Sequence, residues 1–259
     1  MKLIKDNKTE ENERPAHTAS PRKVMINRDM LPSRGRYYDS DLYARKLSAI
    51  EMKNLSKITV ETADSVFNRV ISDAISGIDV DRIMKNDKLW LIYFLRSLTY
   101  NDLPIKVQAK CPSCKESSWY EYRLANLDVT YADRDLVEEL TLPNGDKITV
   151  GFTTIGDERE ITSTKNNPAY IEHIDSDLMT VTAYVKTING ARVSIYEGYE
   201  YFTRGKGSAM DYSKLLSHLK KFGFGARPYG KFTCKCGKEV YADIVLDHDF
   251  FLPDIPEEI

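Results

Sequence analysis

The four cysteines of the chain lie in two short stretches, CPSCKESSWYEYRL at residues 111–124 and CKCGKEVYADI at residues 234–244. In each stretch a close cysteine pair is followed by alternating apolar and polar residues, which is typical of a turn that leads into a β-strand. Structural zinc is bound tetrahedrally by four thiolates, and two such turns supply two sulfurs each. The pattern therefore predicts one structural zinc ion per chain, held by Cys111, Cys114, Cys234 and Cys236.

Two other interpretations of these cysteines are two independent thiol pairs and a disulfide. The second pair is a C-x-C, which supplies two zinc ligands less commonly than C-x-x-C does. The beginning of the chain, MKLIKDNKTEENERP, has no apolar segment of the kind found in a secretory signal. We therefore expect a reducing environment, in which paired cysteines bind metal more often than they form disulfides.

The composition is that of a water-soluble globular protein. Hydrophobic residues make up 42% and charged residues 29% of the 259 residues, and the formal net charge is -2. No apolar run approaches the ~18 residues that a membrane-spanning helix needs. The sequence predicts neither a membrane protein nor a protein with an overall basic field for nucleic acid.

The residue patterns do not predict an enzyme. Four thiolates close the coordination shell of zinc, whereas catalytic zinc keeps an open position. The four histidines (His17, His173, His218 and His248) form no recognisable catalytic pair, and no phosphate-binding or nucleophile motif is present. We expect a non-enzymatic protein.

The order of helical and strand-like patterns predicts an α+β fold. We expect an N-terminal helical bundle and a zinc-ribbon-like β module, with a mixed helical and hairpin insertion between the two cysteine turns. The predicted segments are an extended basic arm at 1–30, the helical bundle at 31–104, the zinc-ribbon-like module at 105–125 and 230–249, the insertion at 126–229, and an acidic tail at 250–259.

Local signals refine this outline. Ser48 with Glu51, and Ser194 with Glu197, have the spacing of a capping box at a helix start. Asn144-Gly145 between alternating runs predicts a hairpin with a type I′ turn. The stretch DSDLMTVTAYVKTING at residues 175–190 is predicted to be helical, and it ends at a glycine.

Nucleic-acid binding is an alternative, because zinc ribbons often serve it. RGRYY at residues 34–38 and LKKFGFGARPYGK at residues 219–231 mix cations with aromatic residues, as single-strand binders do. The sequence pI of about 6.1 does not favour this interpretation.

The order of several motifs resembles the T-even-like baseplate hub and hub-assembly proteins of contractile-tailed phages. The motifs are the turn LPSRGRYY, the helix end LRSLTYND, the knuckle KCPSC and the terminal run TCKCGKEVYADIVLDHDFFLP. The resemblance spans roughly residues 31–253. It implies a structural or assembly protein of the phage tail that has no enzymatic activity. Such a protein would be located in the baseplate of the virion, and in the host cytoplasm during assembly.

The partners implied are other tail or baseplate proteins and further copies of the chain. The first 36 residues carry nine Lys or Arg against five Asp or Glu, and we expect them to wrap a neighbour, with Arg34, Arg36 and Tyr37 in contact. Phe250, Phe251 and Leu252 are expected to pack against another neighbour. The alternatives are a tail assembly chaperone that is absent from the mature virion, and a zinc-ribbon nucleic-acid adaptor.

Overall fold

The computed structural model of the protein describes residues 22–59, 61–167, 174–220 and 223–255. Within these ranges it has eight α-helices: α1 Ala49–Leu55, α2 Ala63–Ala74, α3 Lys85–Thr99, α4 Ile155–Lys165, α5 Ser176–Thr182, α6 Ile195–Thr203, α7 Ala209–Leu219 and α8 His248–Phe251. Among the helices of these ranges, none has both the length and the apolar composition needed to cross a bilayer.

The described residues also form thirteen short strands. They are β1 Val24–Met25, β2 Tyr43–Ala44, β3 Ile75–Ser76, β4 Ile105–Lys110, β5 Ser117–Tyr122, β6 Asp128–Thr130, β7 Glu138–Thr141, β8 Lys147–Val150, β9 Val185–Ile188, β10 Ala191–Arg192, β11 Gly225–Arg227, β12 Tyr229–Thr233 and β13 Glu239–Asp243. They form five small antiparallel sheets, with the orders β1-β2-β3, β10-β9-β8-β7, β11-β6, β4-β5 and β12-β13. The chain is thus a mixed α/β protein.

Helix α3 is the centre of the core. Its middle, residues 89–95, is an unbroken apolar run, and Trp90, Leu91, Ile92, Tyr93 and Leu95 are all buried. A helix without a polar face has to be covered on every side. One continuous cluster of buried side chains accordingly runs from Ile26 to Phe251 and includes residues from most of the elements.

The predicted N-terminal helical bundle at 31–104 is not confirmed. The segment contains α1, α2 and α3, but it also contains β2 and β3, which form one sheet with β1: β2 lies in the middle and pairs with both β1 and β3. Strands of two residues are too short to show the alternation by which a sequence predicts them. The segment also has no core of its own, because its buried residues belong to the cluster that reaches Phe251.

Both predicted capping boxes are present. Ser48 accepts a hydrogen bond from the Glu51 backbone N–H at the start of α1, and the Glu51 carboxylate accepts one from the Ser48 backbone N–H. Ser194 and Glu197 make the same reciprocal pair at the start of α6. These two signals depend on neighbours three residues apart, so the surrounding fold does not override them.

The predicted hairpin around Asn144-Gly145 is present as β7 and β8, but the type I′ turn is wrong. The Gly145 N–H donates to the Leu142 carbonyl at 3.0 Å, so Pro143 and Asn144 are the central residues of the turn. Proline fixes a negative φ, whereas a type I′ turn needs positive φ at both central residues. Gly145, which follows them, has φ +90°.

The helix predicted for residues 175–190 is wrong in its second half. Helix α5 ends at Thr182, and the chain then continues as β9, which pairs with both β8 and β10. Val185, Thr187 and Ile188 are β-branched and prefer a strand when one is available to pair with. Strand β8 is that pairing partner. It lies far from β9 in the sequence, so the pattern of residues 175–190 alone does not reveal it.

The ends of the chain differ from the predicted arm and tail. Residues 1–21 lie outside the described ranges, whereas residues 22–30 contain β1 and a 3₁₀ turn at Arg28–Met30. Residues 256–259 also lie outside the described ranges. Residues 250 and 251, which were assigned to an acidic tail, are instead the end of α8 and are buried in the core.

Candidate metal centre

The first cysteine pair lies at the tip of the β4–β5 hairpin. The two strands pair along their whole length, from Ile105 with Tyr122 to Lys110 with Ser117. Cys111 follows β4 directly, and its N–H donates to the Glu116 carbonyl at 2.8 Å. The Lys115 N–H returns to the Cys111 carbonyl at 3.0 Å, and Lys115 has φ +65°. This closed turn points both sulfurs of the pair to one side.

The second pair lies at the tip of the β12–β13 hairpin, in a tighter turn. The Cys234 N–H donates to the Lys238 carbonyl at 2.9 Å, and the Gly237 N–H returns to the Cys234 carbonyl at 2.8 Å. Gly237 has φ +80°, in the region that glycine enters without steric cost. A turn shorter by one residue explains how a C-x-C presents two sulfurs as the C-x-x-C does.

The two hairpins pack on each other through residues that alternate along their strands. The rings of Tyr120 on β5 and Phe232 on β12 are stacked with their centroids 4.7 Å apart. Ala109 and Val240 are buried beside Cys111 and Cys234 in a small cluster. The four cysteines were predicted as ligands from the sequence, whereas Tyr120 and Phe232 were not predicted as contacts between the hairpins. Their positions on the alternating strand faces were the available signal.

All four sulfurs come together. Cys111 Sγ is 3.7 Å from Cys236 Sγ, and Cys114 Sγ is 3.6 Å from Cys234 Sγ, although these partners are 125 and 120 positions apart. The four atoms all lie within 4.8 Å of one another. A tetrahedron of sulfurs about 2.3 Å from a central zinc has edges of about 3.8 Å. The cluster can therefore hold a metal ion such as zinc.

The pKa values of Cys111 and Cys114 indicate why a cation would stabilise this cluster. The N–H of Cys114 donates to the Cys111 sulfur and, against the effect of burial, helps to lower the pKa of that thiol to about 6. At Cys114 the Glu116 N–H also lowers the pKa, but the Cys234 sulfur, burial and the other two thiols outweigh it and raise the pKa to about 12. A second thiolate beside the first is disfavoured unless a positive charge lies between them.

The cluster is accessible from one side only. Cys111 and Cys234 are buried, whereas Cys114 and Cys236 are exposed. The two nearby lysines point to other groups: Lys115 Nζ donates to the Pro112 carbonyl at 2.8 Å, and Lys235 Nζ lies 3.5 Å from Glu116 Oε1. The negative charge of four thiolates would thus be balanced by the metal and by backbone N–H groups.

Phe250 and Phe251 do not form the partner-binding surface that was predicted for them. Both are buried, with exposed fractions of 1% and 0%. Phe250 contacts Tyr93 with ring centroids 5.0 Å apart, and Phe251 contacts Phe67 at 6.5 Å. Two adjacent phenylalanines present a large apolar surface, and the core around α3 removes it from water. Leu252 is half-buried against the same core.

The predicted contact residues near the N-terminus face another segment of the same chain. The Arg34 guanidinium lies over the Tyr131 ring at 4.4 Å from its centroid. Arg36 donates to the Arg134 carbonyl, and Tyr37 donates to the Asp135 carboxylate. Arg34 and Tyr37 are also exposed, so one side of each remains accessible.

Comparisons of the chain with protein-family models, with curated proteins and with solved structures find no match.

Proposed function

We propose that the four cysteines bind one structural zinc ion per chain. We further propose that the protein is a non-enzymatic structural or assembly component of a contractile phage tail baseplate, in or near its hub. The observation that carries the proposal is the cluster of four sulfurs, which would fill all four positions of a tetrahedral zinc ion and leave none for a substrate. The order of sequence motifs described above supports the baseplate assignment.

Zinc would join distant parts of the chain into one body. Structural zinc contributes ~10–16 kcal/mol of apparent binding free energy in small peptide modules, which is comparable with the ~5–15 kcal/mol stability of a typical domain. The entropic cost of closing the long loop between the hairpins grows only slowly with its length. A metal at this position would therefore fix both hairpins, and the core below them, in one arrangement.

A rigid body with accessible side chains is what a subunit of an assembly requires. Arg34, Arg36 and Tyr37 are held by contacts with residues 131–135, so a partner that binds their accessible sides meets ordered groups. The segments outside the described residues carry charge at both ends of the sequence. We propose that neighbouring tail proteins, or further copies of the chain, dock on these surfaces.

The test is to remove the protein from a phage that encodes it and to follow tail assembly. Mass spectrometry of purified particles, and of baseplate intermediates, would show whether the protein is present. We expect it in baseplates or in their intermediates, and we expect the deletion to yield no complete baseplates. Presence in intermediates with absence from particles would identify an assembly chaperone.

Complementation provides the control. The unchanged gene should restore tails, and a Cys234→Ser gene should restore fewer, because the metal-dependent body is lost. Normal contractile tails in the absence of the protein would refute the proposal.

A further inference from the structure

A groove with unpaired positive charge lies between α1 and α2, on a surface away from the cysteine cluster. It is a cavity of about 640 Å³ lined by residues of both helices and of the segments next to them: Arg45, Ser48, Ile50, Glu51, Asn54, Lys57, Thr62, Val66, Arg69, Val70 and Asp73. Most of these residues are exposed, so the groove is open along its length.

The groove is apolar at its base. Val70 is buried and Val66 is half-buried, and both pack against the core. Ile50 lies on the α1 side with 62% of its surface exposed. An exposed isoleucine beside a valine surface is apolar area that a partner can cover, and such areas mark interaction sites.

The charges of the groove are only partly paired. Arg45 donates two hydrogen bonds to Glu51, from Nη1 to Oε2 at 2.9 Å and from Nη2 to Oε1 at 2.6 Å, so the two charges neutralise each other. Within the described part of the chain, Arg45–Glu51 is the ion pair of the lining, and Lys57 and Arg69 have no carboxylate within 4.0 Å. Asp73 is the other acid in the lining. The groove therefore carries an excess of one positive charge above its apolar base.

We infer that this groove binds a short acidic and aliphatic polypeptide segment. Its aliphatic side chains would cover Ile50 and Val66, and its carboxylates would pair with Lys57 and Arg69. Among the described residues, the lining has no aromatic side chain on which a nucleic-acid base could stack, and it contains two acids. A small molecule would remain largely exposed in so open a groove, whereas small-molecule sites bury ~70–90% of the ligand surface.

The inference rests on the proposed docking function, since it names the surface and the kind of segment through which docking takes place. It also replaces the docking role that was predicted for Phe250 and Phe251, which are buried. Helix α8 contacts α1 from the core, so the groove is supported by a packed element.

The experiment measures peptide binding by the full-length, zinc-loaded protein in fluorescence anisotropy. The probe is a labelled peptide with the sequence of residues 252–259, LPDIPEEI, because it combines three acids with two isoleucines. The reference is LPKIPKKI, in which the charges are reversed. We expect the acidic peptide to bind and the basic one not to bind, with an affinity that falls as salt is added.

Two substitutions locate the binding. Lys57→Glu and Arg69→Glu should each weaken the acidic peptide about tenfold, and the double variant should bind the basic peptide instead. The matched control is Lys53→Glu, which makes the same charge change on an exposed position of α1 outside the lining. It should leave the affinity within about twofold of the unchanged protein.

Three results would overturn the inference. They are no binding of LPDIPEEI by the unchanged protein, equal binding of the two peptides, and a loss with Lys53→Glu as large as with Arg69→Glu. Because the assay uses purified protein, binding at the groove would stand even if phage tails assembled without the protein. In that case only the proposed baseplate function would fail.

Discussion

At the residue scale, Glu51 shows how one carboxylate serves several neighbours. It accepts hydrogen bonds from the Ser48 backbone N–H at 2.7 Å and from Arg45, and its side chain is only 10% exposed. The Arg45 guanidinium lowers the pKa of Glu51 to about 2, from an ordinary value of 4.5; burial opposes this shift and Ser48 adds to it. The ionised form is thus favoured in the folded protein.

The first residue-scale prediction concerns the pH dependence of this pair. The folded-state pKa is depressed, so the stabilisation is fully present above the unfolded pKa of 4.5 and is lost as the pH falls toward about 2. We expect Glu51→Gln to lower the free energy of unfolding by about 1–3 kcal/mol at pH 7. The difference from the unchanged protein should shrink between pH 4.5 and 2, as measured by urea denaturation across that range.

A comparison with an exposed pair tests the cause. Asp39 pairs with Arg82, and both side chains are more than half exposed. Asp39→Asn should change the free energy of unfolding by less than about 1 kcal/mol, because water screens that pair. If Glu51→Gln has no larger effect at pH 7, or if its effect does not depend on pH, the assignment is wrong.

At the element scale, α8 closes the core although it has only four residues. The Asp247 carboxylate accepts from the Phe250 N–H and caps the start of the helix. Arg96 Nε donates to the Phe250 carbonyl at 2.8 Å, and the Tyr100 hydroxyl donates to the Phe251 carbonyl at 2.8 Å. Because Arg96 of α3 and Tyr100, which follows α3, satisfy these carbonyls, α8 is held by tertiary contacts rather than by its own length.

Truncation of Phe251 should therefore be costly. We expect Phe251→Ala to lower the free energy of unfolding by about 3–5 kcal/mol, because it leaves a cavity between α8 and α2. Guanidinium denaturation of the two proteins measures the difference. The control is Val245→Ala, at a nearby position that is 63% exposed, which should cost less than about 0.5 kcal/mol. Equal small effects would show that the end of the chain is not part of the core.

At the scale of the whole molecule, the cysteine cluster connects the two halves of the chain. Tyr122 on β5 and Phe232 on β12 contact each other, and Tyr122 also contacts Tyr93 on α3. The hairpins that present the four sulfurs are thus continuous with the central core. We expect the loss of a metal ion to destabilise the core as well as the two turns.

The corresponding prediction is that the unchanged protein contains one zinc ion and that Cys234→Ser loses it. Elemental analysis measures the metal. Thermal melts should show a lower Tm for the variant and for the unchanged protein treated with a chelator, with little further effect of the chelator on the variant. Thr233→Ser, at the adjacent exposed position, is the control and should keep its zinc. If the unchanged protein contains no zinc and melts at the same temperature as Cys234→Ser, the protein has no structural metal ion.

The sequence predicted those features that depend on near neighbours. The two cysteine turns, the hairpins that carry them and the capping boxes at Ser48 and Ser194 were all predicted from residues at most a few positions apart. The meeting of the two cysteine pairs is a distant contact, and it could be predicted because four thiols match the ligand set of one metal ion. The sequence did not predict features that distant contacts decide. Val185–Ile188 became a strand because β8 lies beside it, and Phe250 became a core residue because α3 lies below it. The groove between α1 and α2 likewise exists only after the helices pack.

The separation of the two cysteine pairs has a consequence for biosynthesis. Cys234 leaves the ribosome 120 positions after Cys114, which is roughly 6–24 s later at about 5–20 residues per second. During that interval the first turn offers two thiols without their partners, and the aromatic face of the first hairpin has no Phe232 to cover it. Until Cys234 and Phe232 have been synthesised the cluster cannot form, so the thiols of the first turn are open to oxidation and the aromatic face of its hairpin is open to aggregation.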